Sequence, residues 1–274
     1  MIGIAVLVFR EVLEAALVVS VVFAATRGVP ARSRWIGAGI AAGVLGAIAV
    51  AASAGVIADA AKGMGQELFN ASVLFAAIAM IAWHAIWMAK HGRALAAQMQ
   101  ALGSAVSVGH RPLTALLIVV ALAVLREGSE VVLFLFAQAA GGSGWVDIAG
   151  GLALGIVSGI VTGLALYLGL LRIPIRHFFT ATNWLLLLLA AGMASQAARF
   201  LVQADLLPSL GSRLWDSSGL LSDRSVLGQA LHALIGYDAR PAGVQVVFYV
   251  ATGTLIAIGM RVWGKQGKRT PGAA

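Results

Sequence analysis

The chain has 274 residues, 60% of them hydrophobic and 11% charged, with a mean hydropathy of +0.94. Soluble domains average about 25% charged residues, so this composition excludes a water-soluble fold and leaves no room for a large domain beside the apolar runs. The absence of cysteine excludes disulfides, thiolate ligands and thiol redox chemistry. The net charge of +8 reads as membrane topology, with no nucleic-acid partner.

Apolar runs long enough to cross a bilayer predict about seven spanning helices: Met1–Ala25, Trp35–Ala58, Leu68–Ala89, Leu113–Ala139, Ile148–Leu171, Thr180–Val202 and Val244–Trp263. The first run is too long, and too charged at its centre, for a signal peptide, and is expected to be retained. Basic residues fall in alternate connections. Arg27, Arg32 and Arg34 follow the first span, Lys90, Arg93 and Arg111 the third, Arg172 and Arg176 the fifth, and Arg261, Lys265, Lys268 and Arg269 the last. The opposite segments hold Asp59, Glu67, Asp147, Asp205, Asp216, Asp223 and Asp238. The positive-inside rule then predicts an amino terminus outside and a carboxyl terminus in the cytoplasm. Localisation is expected in a bacterial cytoplasmic (inner) membrane.

The first span carries Arg10-Glu11-x-x-Glu14, and the fourth carries Arg126-Glu127-x-x-Glu130, 116 residues later. Gly39-x-x-x-Gly43 in the second span returns as Gly151-x-x-x-Gly155 at 112, and Ala79-Met80 weakly matches Gly192-Met193 at 113. These offsets predict two three-helix repeats, about 1–90 and 113–203, followed by an outer loop, 204–243, and a last helix, 244–263. An odd number of spans inverts one unit against the other, an arrangement common in secondary transporters. The fold class expected is an all-α integral membrane protein with a single permease domain over 1–274. Glycines at 151, 155, 159 and 163 form a small-residue stripe for close helix packing. In the loop, Ser225 is placed to cap a short helix to Ile235, with Val226, Leu227, Ala230, Leu231 and Leu234 on its apolar side. Trp215 and Tyr237 suit a membrane interface.

Charges at mid-membrane persist where they pair, face the bundle interior or line an ion path. Spacings of three and four put Glu11 and Glu14 on one face, with Arg10 in reach of Glu14. Counted at 1.5 Å per residue, Arg10 to Glu14 lie roughly 14–20 Å from the outer end, and Glu130 to Arg126 lie at about the same depth. In an antiparallel pair, Arg10 would be level with Glu130 and Arg126 with Glu14. The motifs are therefore expected to form one cluster, of formal charge −2 when the glutamates and arginines are all ionised. Carboxylates suit hard cations and proton relay. Glu11, Glu14, Glu127 and Glu130 are the candidate metal ligands, and Arg10 and Arg126 orient them and discharge the empty site. The competing reading is a register device, which would not require two carboxylates per arginine.

The doubled R-E-x-x-E in the first and fourth spans resembles the oxidase-dependent iron permease family, which includes fungal high-affinity iron permeases and bacterial EfeU-type ferric permeases. The resemblance covers essentially the whole chain and extends to the stretch from Leu221 to Gly253. It implies iron uptake, ferric on arrival, from an extracytoplasmic oxidase or iron-binding protein. The transported iron would bind the glutamates in passage, with no permanent cofactor and no enzymatic activity. Uptake of manganese or lead through the same carboxylates, and a structural or signalling subunit, are the alternatives. Further path candidates are Gln196, near the motifs in depth; Glu67, at the outer end of the third helix; His84, expected deeper and of unknown facing; and Asp216, Asp223 and Asp238, as an outer funnel. Met80, Met88 and Met193 are read as packing residues.

Overall fold

The computed structural model describes residues 1–60, 65–168, 175–223 and 225–266. Within these it is all helical: α1 (Ile2–Ala25), α2 (Arg32–Ala60), α3 (Gln66–Ser107), α4 (Thr114–Ala140), α5 (Trp145–Tyr167), α6 (Ile175–Gln203), the short α7 (Val226–Ile235) and α8 (Gly243–Gln266). Five of them (α2, α3, α5, α6 and α8) are long and apolar enough to cross a membrane. The other two long helices, α1 and α4, have 24 and 27 residues and carry the paired charge motifs.

The third helix differs most from expectation. It was expected to end at Ala89, yet α3 is 42 residues long and reaches Ser107. The stretch from Ala94 to Leu102 is made of alanine, leucine, glutamine and methionine, all strong helix formers. A break comes only at Gly109, with φ +78°, and Pro112. The added turns are used in packing, since Val106 is buried with Val22, Ile36, Leu116 and Val120. The side chains of Asp59, Lys90, Arg93, Arg172, Arg176, Lys265, Lys268 and Arg269, and of Val226, Ala230 and Leu234, lie outside the described residues.

Two helix pairings dominate the packing, α1 with α5 and α2 with α4. They match contact for contact. On α5, a Cβ added to Gly151 would lie 2.8 Å from the Met1 carbonyl and 2.7 Å from Ile4 Cβ. On α2, one added to Gly39 would lie 2.7 Å from the Leu117 carbonyl and 3.0 Å from Val120 Cβ. One step on, Gly155 faces Val8 and the Ala5 carbonyl, and Gly43 faces Val124 and the Ala121 carbonyl. At the next step the small residue changes sides: Gly159 receives Val12, whereas Gly128 of α4 receives Ala47 of α2. This exchange gives Gly128 a packing reason to stand inside the second motif where the first has Val12. In both pairs the residue numbers rise together, so the paired helices run parallel. Because α2 reverses the chain after α1, α4 runs antiparallel to α1. Further contacts join α1 to α4 and α3 to α6.

A core of Ile4, Leu7, Leu74, Ile81, Phe134 and Leu186, with their neighbours, fills the space between α1, α3, α4 and α6. In the loop, Ser225 caps α7 by accepting from the Gly228 amide at 3.0 Å. Gly236 ends the helix in the left-handed conformation, φ +69°, and its Cα approaches Gly192 of α6 too closely for a side chain on either residue. Leu227 is 61% exposed, because the contacts of α7 are with α6 and α1. Tyr237 does not reach outward; its hydroxyl donates to the Leu221 carbonyl at 2.9 Å and lies 2.7 Å from Ser217 Oγ.

Replacing Gly43 or Gly155 by leucine should overpack the helix pair and destabilise the protein by about 1–3 kcal/mol. Gly55→Ala, which meets nothing within 4 Å, should leave stability unchanged or raise it by up to about 1 kcal/mol through helix propensity. Thermal unfolding in detergent checks both, and equal effects at all three positions would contradict the close-contact packing.

Candidate metal centre

The site is built where α1, α3 and α4 converge. Arg10 is the largest fully buried side chain among the described residues, 2% exposed. Its Nη1 donates to Glu11 Oε1 at 2.7 Å, and its Nη2 lies 2.7 Å from Glu14 Oε1. Asn183 of α6 accepts from the same Nη2 at 3.5 Å. The planar fork of arginine can hold two carboxylates at once, and here it fixes both glutamates of its own motif. Glu11 and Glu14 are buried with it.

The second motif is arranged differently. Arg126 is 34% exposed and its guanidinium stacks 4.4 Å from the centre of the Trp87 ring. Its Nε lies 3.4 Å from Glu130 and 3.8 Å from Glu127, a looser hold than that of Arg10. His84 of α3 takes the inner position. Its Nδ1 lies 2.7 and 2.6 Å from the two oxygens of Glu130, and its Nε2 lies 3.5 Å from Glu14 Oε2. The imidazole therefore bridges the motifs, whereas each arginine stays with its own glutamates.

The two motifs face one another. One ligand atom from each of Glu11, His84, Glu127 and Glu130 falls within 4.8 Å of all the others. Glu11 Oε2 and Glu127 Oε2 are buried without a hydrogen-bond partner. Buried carboxylate oxygens are costly when left unpaired, so these two are oxygens that a cation would satisfy. A void of about 10 Å³ beside Glu11, His84 and Glu130 is on the scale of one water. Three carboxylates and one imidazole form a donor set suited to a first-row transition metal.

Comparison with known proteins agrees with this chemistry. Residues 1–268 match the Iron permease FTR1 family. The chain belongs to that family of iron permeases. Among its relatives are proteins named ferrous iron permease EfeU from Escherichia coli O6:K15:H31 (strain 536 / UPEC), 34% identical over 249 residues, and from Yersinia pestis, 31% identical over 248 residues. The alignments cover 89% of this chain in both cases, and 89% and 87% of the relatives. No solved structure matches.

Not every residue singled out from the sequence of this permease reaches the centre. His84 does, level with Glu14 and Glu130 and not deeper than they are. Gln196 does not. Its Nε2 lies 3.0 Å from His232 Nε2 of α7, and its Oε1 lies against Gly141 at the end of α4, because α6 brings it close to the loop end of the bundle. Glu67 stands in the first turn of α3, where a carboxylate stabilises the helix terminus. The three loop aspartates are engaged in holding the loop together and do not form an open funnel. Asp216 pairs with Arg213 and Arg240, and hydrogen bonds from Ser218 hold its carboxyl below the usual carboxylate range. Asp223 accepts from the Ala239 amide at 2.9 Å. Asp238 accepts from the Arg240 amide at 2.9 Å and from Gln245 at 3.4 Å. Asn183 and Trp87 were not singled out in the sequence. Trp87 follows His84 by three residues on the same helix face, the one signal that could have marked it.

The unequal burial of the two arginines predicts unequal costs. Arg10→Gln should destabilise the protein by about 3–5 kcal/mol, since it strands two buried carboxylates. Arg126→Gln should cost well under half of that. Thermal unfolding of the two purified variants decides it, and a larger loss for Arg126→Gln would contradict the arrangement described.

Proposed function

We propose that this permease moves iron across the cytoplasmic membrane through the centre formed by Glu11, Glu127, Glu130 and His84, with Glu14 and Arg10 holding it from one side and Arg126 from the other. The observation that carries this reading is that Glu11 and Glu127, one from each motif, each bury an unpartnered carboxylate oxygen and gather with Glu130 and His84 so that one ligand atom of each lies within 4.8 Å of the others. A device for fixing helix register would leave no such oxygens. In the proposed topology all seven long helices cross the bilayer, the amino terminus is outside, and the two three-helix units are inverted repeats. The matched glycine contacts of α5 on α1 and of α2 on α4 support that layout, and so does the alternation of basic and acidic connections.

Charge balance bears on the oxidation state. Four glutamates and two arginines sum to −2, which a divalent ion neutralises with His84 as a neutral ligand, and an imidazole donor suits Fe(II). The relatives are themselves named ferrous permeases. We therefore take the ion in the site to be ferrous. The ferric cargo implied by family resemblance would leave one positive charge uncompensated at the centre. Delivery from an extracytoplasmic iron-binding protein is part of the proposal, and the oxidase implied by the resemblance belongs to the ferric alternative. Manganese, with similar ligand preferences, is the competing cargo.

Uptake of isotopic iron per correctly inserted molecule tests the site. Glu11→Gln, Glu127→Gln and Glu130→Gln each remove a charged ligand and should lower uptake by about a hundredfold, since losing even an outer-shell partner of a metal ligand costs about 10- to 100-fold. His84→Ala should act in the same direction, and excess manganese should compete more weakly than unlabelled ferrous iron. Near-normal uptake by any of these variants would remove that residue from the centre.

A further inference from the structure

A second feature borders the same two glutamates from the side. Between the α1–α5 pair and the α2–α4 pair runs a groove of about 900 Å³. Its walls are mostly apolar, and among the described residues its only carboxylates are Glu11 and Glu127. Its lip is formed by Val44, Ile48, Ile156, Ile160 and Leu164, which are 37–58% exposed. A rim of exposed valine, isoleucine and leucine on spanning helices faces hydrocarbon, so the groove opens toward the bilayer and not toward water. Along α1 it extends from Glu11 to Phe23, about 18 Å at the helical rise, which is longer than an extended dodecyl chain.

The floor and the walls call for different halves of one ligand. The unpartnered oxygens of Glu11 and Glu127 are nine-tenths buried or more and need a cation or a hydrogen-bond donor. The walls offer dispersion contacts to a chain, with Ser20 and Tyr167 as the only other polar side chains among the described lining residues. A phospholipid supplies the chain, but its headgroup stays at the interface, and the carboxylates lie near mid-bilayer. A hydrated metal ion supplies the charge and leaves the walls empty. We propose that the groove is a binding site for membrane-dissolved alkyl amines, with the ammonium group on Glu11 and Glu127 and the chain lying along α1 toward Phe23. Such a ligand occupies oxygens that the iron centre uses, so hydrophobic amines block the permease from within the membrane. That consequence rests on the iron reading; the amine site itself does not.

The test uses the full chain in lipid nanodiscs and radiolabelled dodecylamine, with dodecanol and dodecyl sulfate as matched probes and empty nanodiscs as the blank. The expected result is saturable dodecylamine binding, one per protein, that neither of the other probes shows. Equal binding of dodecanol would overturn the proposal, because the carboxylates would then play no part. In the Glu11→Gln, Glu127→Gln double variant, amine affinity should fall by about tenfold or more, in line with the loss of a buried charge-assisted pair; unchanged affinity would overturn it. Ala51→Phe, which narrows the groove from α2 without touching the glutamates, should weaken the amine and spare iron uptake; undiminished amine binding in that variant would count against the groove. Ferrous iron should displace the amine from the native protein. Amine-specific binding that iron fails to displace would support the groove site while contradicting the iron centre, so the two readings fail separately.

Discussion

Arg10 lies in the middle of an apolar helix, is almost wholly buried, and holds Glu11 and Glu14 at 2.7 Å each. A charge at that depth persists only when it is paired, and a buried pair is strongly destabilised when one partner is lost. The rest of the bundle follows from keeping this fork closed. α1 must present one face to α3 and α4, and the glycine stripe of α5 lets its backbone close against the other face. The apolar core of Leu7, Ile81, Phe134 and Leu186 beside the fork keeps water from competing for the guanidinium. The carboxylates of α1 are then fixed in place, and those of α4 approach them across the bundle.

The near-symmetry of the two halves makes their differences informative. Helix packing repeats residue by residue, down to which carbonyl faces which glycine. The charges do not. Arg10 is buried, whereas Arg126 stacks on Trp87 and keeps only a longer contact to Glu130, at 3.4 Å, where His84 makes the shorter one. The residue 113 positions after His84 is Ala197, fully buried and without a polar group, so no second imidazole balances the first. The centre is thus one-sided: a tightly held motif on α1 faces a loosely held one on α4, with an imidazole between them. The closed fork of Arg10 leaves Glu11 Oε2 without a partner, and the looser hold of Arg126 leaves Glu127 Oε2 without one. In inverted-repeat transporters, ligand sites lie at the interface between the repeats, and the proposed layout puts this inequality there.

Much of this was legible in the sequence because charges within apolar runs stand out against their surroundings. Both motifs, the packing stripe of α5 and the Ser225 cap could be read directly, since each depends on local spacing and on one or two residue types. The facing of single residues could not be read. The stretch of α3 around His84 is apolar on all sides, so its periodicity marks no inward face, and only packing against α1 and α4 turns the imidazole toward Glu130. Depth counting failed for Gln196 for a similar reason: the close approach of Gly192 and Gly236 draws α7 down onto α6, and Gln196 meets His232 there. The extension of α3 was missed because its basic residues marked a connection, while the intervening alanines and leucines kept the helix intact. The loop aspartates looked like a cation funnel because spacing alone does not reveal which backbone amides will claim them.

The inclusion of His84 most sharply separates this centre from a carboxylate-only site, and spectroscopy of the bound ion reports on it directly. X-ray absorption of the purified permease loaded with one ferrous ion should show a mixed oxygen and nitrogen first shell with the outer-shell scattering of a single imidazole, and that imidazole contribution should vanish in His84→Ala. An all-oxygen shell in the native protein, or an imidazole contribution that survives the substitution, would contradict the centre described here.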